Sequence, residues 1–461
     1  MADSTLKIDN AKFVLTLDPE RRIVRDGSIL IDGQRIKQVG KDADLEAVEA
    51  DRVIDAREMV VTPGFCNGHI HISYAHATRG IFPDNLPPQE YLANVFKLQS
   101  VMTEEEEYYT SLLACTELLK YGTTCFLDPG STKYLDACMQ AYEESGCRII
   151  VGAGVGDLPN PLNLPLIPPK EALKQAEVTI RTYNNRLDGR VRAWAMPFSS
   201  DQASQELLAE SKKLADAYET GMTVHMANSP DSIEYHRQKH GKRPAKYLEE
   251  IGALGPNVLL SHAVDVNQSE VESIACTGTK VVMCPTAAMK MGAGTTGRGM
   301  LPEMLERSVC VGIGTDSGNN SNLVESMRSM YLVATLYKDA RQTTDVMPAE
   351  TALEMATIRG AKSLGLEDEI GSIEVGKKAD LVLFDTKRPE WRTLFNPVNT
   401  LVYNADGRSV HTVIVDGKVV VENHEPTFVD EWELIQKVQA IGEDMLTRTG
   451  VPFPQHRWPV V

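Results

Sequence analysis

The sequence predicts an α/β protein: a distorted (β/α)8 barrel of the TIM type, flanked by a small β-sandwich built from both termini. Three observations lead there. Eight short apolar runs alternate with helical patterns: Val60–Cys66, Thr123–Leu127, Arg148–Ala153, Arg192–Met196, Met222–His225, Val258–His262, Lys280–Cys284 and Cys310–Gly314. Strand-like segments broken by polar turns lie both before and after them. No GxGxxG follows an early strand, which argues against an open doubly wound sheet.

In chain order, Leu6–Asp9, Phe13–Leu17, Ser28–Ile31, Arg35–Val39 and Arg52–Asp55 read as strands, with turn signals at Asp26-Gly27 and Asp32-Gly33. Residues 1–62 are thus the N-terminal part of the sandwich, and residues 63–376 the barrel. Helical patterns at Glu104–Tyr121, Ser204–Thr220 and Pro244–Gly252 lie between barrel runs, and Ala352–Leu364 follows the last. Residues 377–428 return to strands at Asp380–Phe384, Val410–Val415 and Lys418–Val421, with an Asp416-Gly417 hairpin turn. Residues 429–461 give a closing helix, Glu431–Leu446, and a tail rich in Pro and aromatics.

Lys and Arg number 47 against 64 Asp and Glu, a net charge of −17 in 461 residues. Such a surface repels phosphate backbones and anionic lipid, so neither nucleic acid nor membrane is an expected partner. The start carries no apolar signal core, and no run reaches the ~18 residues of a spanning helix. The 8 cysteines form no CxxC pair. They read as reduced thiols of a cytoplasmic protein, and a Cys-based zinc site is not expected.

Barrels carry their chemistry at the C-terminal ends of their strands. The first run leads into His69-Ile70-His71, two imidazoles at i and i+2 on one strand face. The fifth ends in His225, the sixth in His262, and the eighth is followed by Thr315-Asp316. A lone histidine at a strand end is more often a hydrogen-bonded core residue than a ligand. Here four of the 10 histidines fall at such ends beside a carboxylate. That set suits zinc or a similar divalent transition metal.

The sequence resembles the amidohydrolase superfamily. The resemblance rests on Val61-Thr62-Pro63-Gly64-Phe65 with His69-Ile70-His71, Tyr121-Gly122-Thr123-Thr124, Ser261-His262-Ala263, Gly312-Ile313-Gly314-Thr315-Asp316 and Gly371-Ser372-Ile373-Glu374-Val375-Gly376-Lys377-Lys378-Ala379-Asp380-Leu381. It implies a metal-dependent hydrolase with His69, His71, His225 and Asp316 as ligands and His262 near water and substrate. Two-metal members bridge their ions with a Lys or Glu ending strand four. Trp194-Ala195-Met196-Pro197-Phe198-Ser199-Ser200 has neither, so one divalent ion per chain is expected: zinc first, then cobalt, manganese or iron.

The texture is that of the aminohydrolase and triazine hydrolase group, which includes deaminases of methylthioadenosine and S-adenosylhomocysteine. There strand five usually ends His-x-x-Glu, and the Glu protonates the substrate ring. Here it reads His225-Met226-Ala227-Asn228, and Asn cannot shuttle a proton. The first loop, with Tyr74 and His76, resembles the phenylurea and molinate (thiocarbamate) hydrolases. The expectation is therefore hydrolysis of a small urea, carbamate, thiocarbamate or amide. Asp316 moves the proton from water to the leaving group, His262 stabilises the oxyanion, and Asn228 orients the substrate.

Tyr74 and His76 are expected at the substrate pocket, against the plainer readings of core packing and loop fixing. Arg79 is expected to pair with a structural carboxylate, and Asp128 to be structural. Cys284–Gly294 reads either as an adaptable Met-rich loop over the mouth or as a connector. The alternative function is an aminohydrolase, a deaminase or dechlorinase, on a purine, pyrimidine or s-triazine ring. A non-catalytic metal scaffold is the rival from another class, and the Asp316–His262 pair speaks against it. A homodimer or larger homo-oligomer is expected, with the tail near Phe453 and Trp458 as a candidate interface.

Overall fold

The computed structural model describes residues 5–159, 166–452, 454 and 458–460, so Phe453 lies outside the described residues. The apolar barrel runs pair in parallel as two four-stranded sheets. One holds Phe65–Asn67, Thr123–Leu127, Arg148–Val151 and Val191–Ala193. The other holds Met222–Met226, Val258–His262, Lys280–Met283 and Val311–Ile313. Backbone contacts join the sheets at both seams. Ala195 bridges Met222, and the Gly68 amide donates to the Ile313 carbonyl at 2.8 Å. Strand residues that alternate inward fill the interior with Cys66, Cys125, Ile150, Trp194, Leu259 and Val282.

The first predicted run is two strands in two sheets. Met59–Pro63 pairs with Thr5–Leu15 and Leu381–Asp385, whereas Phe65–Asn67 starts the barrel. The break falls at Gly64, where a Cβ would sit 2.1 Å from Thr124 Oγ1, so only glycine fits. Strands from both termini share one nine-stranded sheet, cored by residues such as Ile8, Ile29, Ile31, Leu381 and Ile414. Leu6–Asp9 and Phe13–Leu17 merge into Thr5–Leu15, with a bulge between Ile8 and Ala11 where Asn10 takes a φ of 59°.

Helices form where caps and periodicity agree. Glu104–Lys120 starts from a capping box of Thr103 and Glu106. Glu431–Thr449 starts from Asp430, whose side chain accepts from Glu433 N. The single helix expected over Ala352–Leu364 divides at Thr357 into Ala349–Ala356 and Ile358–Ser363. The segment expected as a loop after strand seven carries a short helix, Pro285–Lys290, led by proline in its first turn. Among the described residues no helix is long and apolar enough to cross a membrane.

Candidate active site

The exits of strands one and eight are stitched together by backbone. Thr315 N and Asp316 N donate to the His69 carbonyl at 3.1 and 2.9 Å. Asn67 completes the seam: its Oδ1 accepts from His69 N and Thr315 N, and its Nδ2 donates to Thr315 Oγ1 at 2.7 Å. Gly314 permits the approach, since a Cβ there would lie 3.0 Å from that of His69. A buried imidazole and a buried carboxylate are thus held side by side.

His225 and His262 arrive from strands five and six, whose register pairs His225 with Ser261 and Met226 with His262. Their rings lie 4.7 and 4.8 Å from that of His69, centre to centre. Donor atoms of His69, His71 and His225 lie within 4.8 Å of one another, as do those of His69, His262 and Asp316. Asp316 Oδ1 is 3.6 Å from His71 Nε2 and 3.8 Å from His69 Nε2. His262 and Asp316 take φ values of 80° and 61°, a left-handed strain of the kind that gathers at functional sites.

The side chains fit a divalent ion. Both ring nitrogens of His69 and Nδ1 of His71 are buried with no hydrogen-bond partner. A buried polar group left so costs about 1–3 kcal/mol, a cost that a metal bond removes. His225 Nδ1 donates to the Phe198 carbonyl, which fixes the tautomer and leaves the Nε2 lone pair for a ligand role. Burial, then the neighbouring imidazoles, push His69 well below the ordinary range, and His225 down to about 3. Burial also lowers His262, against the pull of Asp316. Neutral imidazole is the form that binds metal. Burial raises the Asp316 carboxyl, but His262, His71 and the Ser317 amide outweigh it and hold it low.

The two residues expected at the substrate pocket divide. Tyr74 is buried with its ring centre 6.3 Å from that of His71. Burial, then the charge of Asp316, raise its phenol, so it stays protonated. His76 instead sets its Nε2 2.8 Å from Glu117 Oε2, and Arg79 grips the same carboxylate at 2.7 Å. This fixes the first loop to helix Glu104–Lys120, and it is the structural pairing expected of Arg79. Asp128 is likewise structural: it accepts from Ile72 N and Ser131 N. Asn228 is exposed in the turn before helix Pro230–His240.

Two asparagines that no titratable group marks join the site. Asn319 accepts from Tyr91 Oη at 2.7 Å and donates to Thr78 Oγ1 at 2.8 Å, tying the loop after strand eight to the first loop. Asn320 Nδ2 donates to Asp316 Oδ2 at 3.1 Å. Only their neighbourhood to Asp316, three and four residues on, signalled them.

Known proteins match this arrangement along nearly the whole chain. A model of the amidohydrolase family matches residues 60–420. A 5′-deoxyadenosine deaminase of Methanobrevibacter smithii is 34% identical over 96% of this chain and 99% of its own. A 5-methylthioadenosine/S-adenosylhomocysteine deaminase of Thermoanaerobacter pseudethanolicus is 30% identical over 94% and 98%. An adenosine deaminase from Xanthomonas campestris, solved with bound zinc, superposes with a TM-score of 0.88 at 25% identity, covering 96% of this chain and 98% of the other. Atrazine chlorohydrolase from Arthrobacter aurescens, also with zinc, shares the fold at a TM-score of 0.87 and 24% identity over 95% and 100%.

These matches correct the expected substrate. Hydrolysis of a urea, carbamate or thiocarbamate, and the likeness to phenylurea and molinate hydrolases, rested on Asn228 in place of an acid and on the first loop with Tyr74 and His76. The two deaminases just described, and a 5′-deoxyadenosine deaminase of Methanosarcina acetivorans at 33% identity, match over nearly their full length. Asn228 is exposed just beyond strand five, outside the buried donor set.

Proposed function

The chain belongs to the amidohydrolase family, and we propose that it is a mononuclear metal-dependent aminohydrolase that releases ammonia from an adenosine-type ring. One observation carries this above the others: 34% identity to a 5′-deoxyadenosine deaminase over 96% of the chain. His69, His71, His225 and Asp316 would hold the ion, with zinc the first choice. When bound, such an ion supplies Lewis acidity and lowers the pKa of a water ligand toward about 7. The exit of strand four offers Phe198, Ser199 and Ser200 and no bridging carboxylate, which supports a single ion.

The protein's own groups then manage position and protons. Asp316 takes a proton from the attacking water and hands it to the exocyclic nitrogen. His262, neutral at pH 7, offers an N–H that orients the attacking water. Asn228 cannot give up a proton, so its amide offers a hydrogen bond to a ring nitrogen while proton traffic runs through Asp316. Tyr74 closes the site beside His71. In this reading the two parallel sheets form one closed barrel whose mouth admits a small molecule, and the protein works as a cytoplasmic homo-oligomer.

The test is incubation with 5′-deoxyadenosine, methylthioadenosine and S-adenosylhomocysteine. Ultraviolet spectra should shift from amino- to oxopurine, with one ammonia per turnover. An unchanged spectrum with all three contradicts the proposal.

A further inference from the structure

We infer that the cavity between helix Glu104–Lys120, the closing helix and the C-terminal strands binds a small organic anion whose charged head meets the Arg388 guanidinium. The cavity measures about 550 Å³, inside the ~300–1,000 Å³ range of small-molecule pockets. None of the metal-donor side chains lines it. It is therefore a second site, whatever the first one acts on.

The charges around this cavity do not balance. Arg79, Lys120, Arg388 and Arg408 line it against three acids, Glu117, Glu425 and Glu431. Arg79 holds Glu117 at 2.7 Å. Lys120 bonds Glu431 and lies 3.9 Å from Glu425. Arg408 takes Asp406, 2.7 Å away. Arg388 is left over: its guanidinium has no ion pair and no hydrogen bond among the described residues. Only its Nε is closed off, and the two Nη groups stay open on the cavity that the residue lines. A half-buried cation without a counter-charge carries a desolvation cost that a bound anion offsets. The chain carries −17 overall, so this surplus is local and not a drift of composition.

The rest of the lining selects the body of the ligand. Leu113, Val410 and Ile435 give an apolar wall, and Ile435 remains 38% exposed there. The Tyr121 hydroxyl lines the same space with no hydrogen bond among the described residues, free to donate to an anion. A planar guanidinium matches a carboxylate or phosphate head, and the apolar wall matches a ring or hydrocarbon behind it. A bare inorganic ion would leave that wall wet, and a neutral molecule would leave Arg388 uncompensated.

The experiment is a calorimetric titration of the metal-loaded protein with phenylphosphonate, which joins an anionic head to a ring. One site per chain is expected. Arg388→Ala should weaken binding about tenfold to a hundredfold, the loss of a charge-assisted contact. Arg388→Gln serves if the alanine variant does not fold. Ile435→Trp fills the cavity from a different element and should weaken binding as well. Benzyl alcohol, which has the ring and no charge, should not bind. Absence of phenylphosphonate binding, equal binding of benzyl alcohol, or binding that either variant leaves intact overturns the inference. Binding that both variants leave intact and that metal removal abolishes places the anion on the metal, and overturns it too. Ammonia release is not the readout, so this result stands apart from the fate of the deaminase reading.

Discussion

Asp316 concentrates more demands than any other side chain of the site. It is strained at φ 61°, faces two unpartnered imidazoles, and accepts from Ser317 N and Asn320 Nδ2. Asp316→Asn keeps the shape and one oxygen donor but removes the base. Turnover should fall about 10²–10⁴-fold, the contribution of a positioned acid–base group, while the metal content of the purified protein holds. A near-normal rate with metal retained would reduce Asp316 to a ligand. At this scale the donor set was legible because strand alternation puts His69 and His71 on one face, and because strand exits are where barrels do chemistry. Asn319 and Asn320 were not, since a neutral amide in a loop carries no signal until its partner is seen.

The first loop and the helices beneath it act as one element. His76 and Arg79 hold Glu117 on helix Glu104–Lys120. The closing helix bears on the same loop: a Cβ at Gly442 would lie 2.2 Å from the Ala77 carbonyl oxygen. Burial pushes the Glu117 carboxyl up, but the His76 hydrogen bond and the charges of His76 and Arg79 bring it down to about 2, from an ordinary 4.5. A depressed carboxyl stabilises the fold above its unfolded pKa and loses that contribution as pH falls through its folded pKa. Wild type should therefore melt above Glu117→Gln by a constant margin at pH above about 5. The margin should close as pH drops from 4.5 toward 2. A margin that widens on acidification would contradict the latch. Element positions were legible from apolar runs and caps, but the break at Gly64 was not. The residues on both sides share one apolar texture, and only the neighbour Thr124 shows why the chain must turn there.

For the molecule as a whole, the junction between barrel and nine-stranded sheet is ionic. Arg148 opens the third barrel strand with its side chain 1% exposed, bonded to Asp380 at 3.1 Å and to Asp416 at 3.2 Å. Lys378 joins at 3.1 Å from Asp416. This accounts for the Lys378-Ala379-Asp380 part of the motif that carried the family resemblance: its charges lock the C-terminal strands to the barrel. Arg148→Met leaves buried Asp380 without its cation, while Asp416 keeps Lys378, and should cost about 3–5 kcal/mol, read from denaturant unfolding. A neutral effect would mean that the junction is held by packing alone. Family and metal chemistry were legible at this scale because many strand exits agree. The substrate was not, because it hung on Asn228 and on the first-loop residues Tyr74 and His76, which lie outside the donor set.

The most direct test of the central claim, one ion and one deamination site per chain, is a metal titration of stripped protein with ammonia release from 5′-deoxyadenosine as the readout. A single catalytic ion should give no release without metal, a linear rise on adding zinc, and a plateau at one equivalent per chain. A plateau at two equivalents, or ammonia release that ignores the metal, would contradict it.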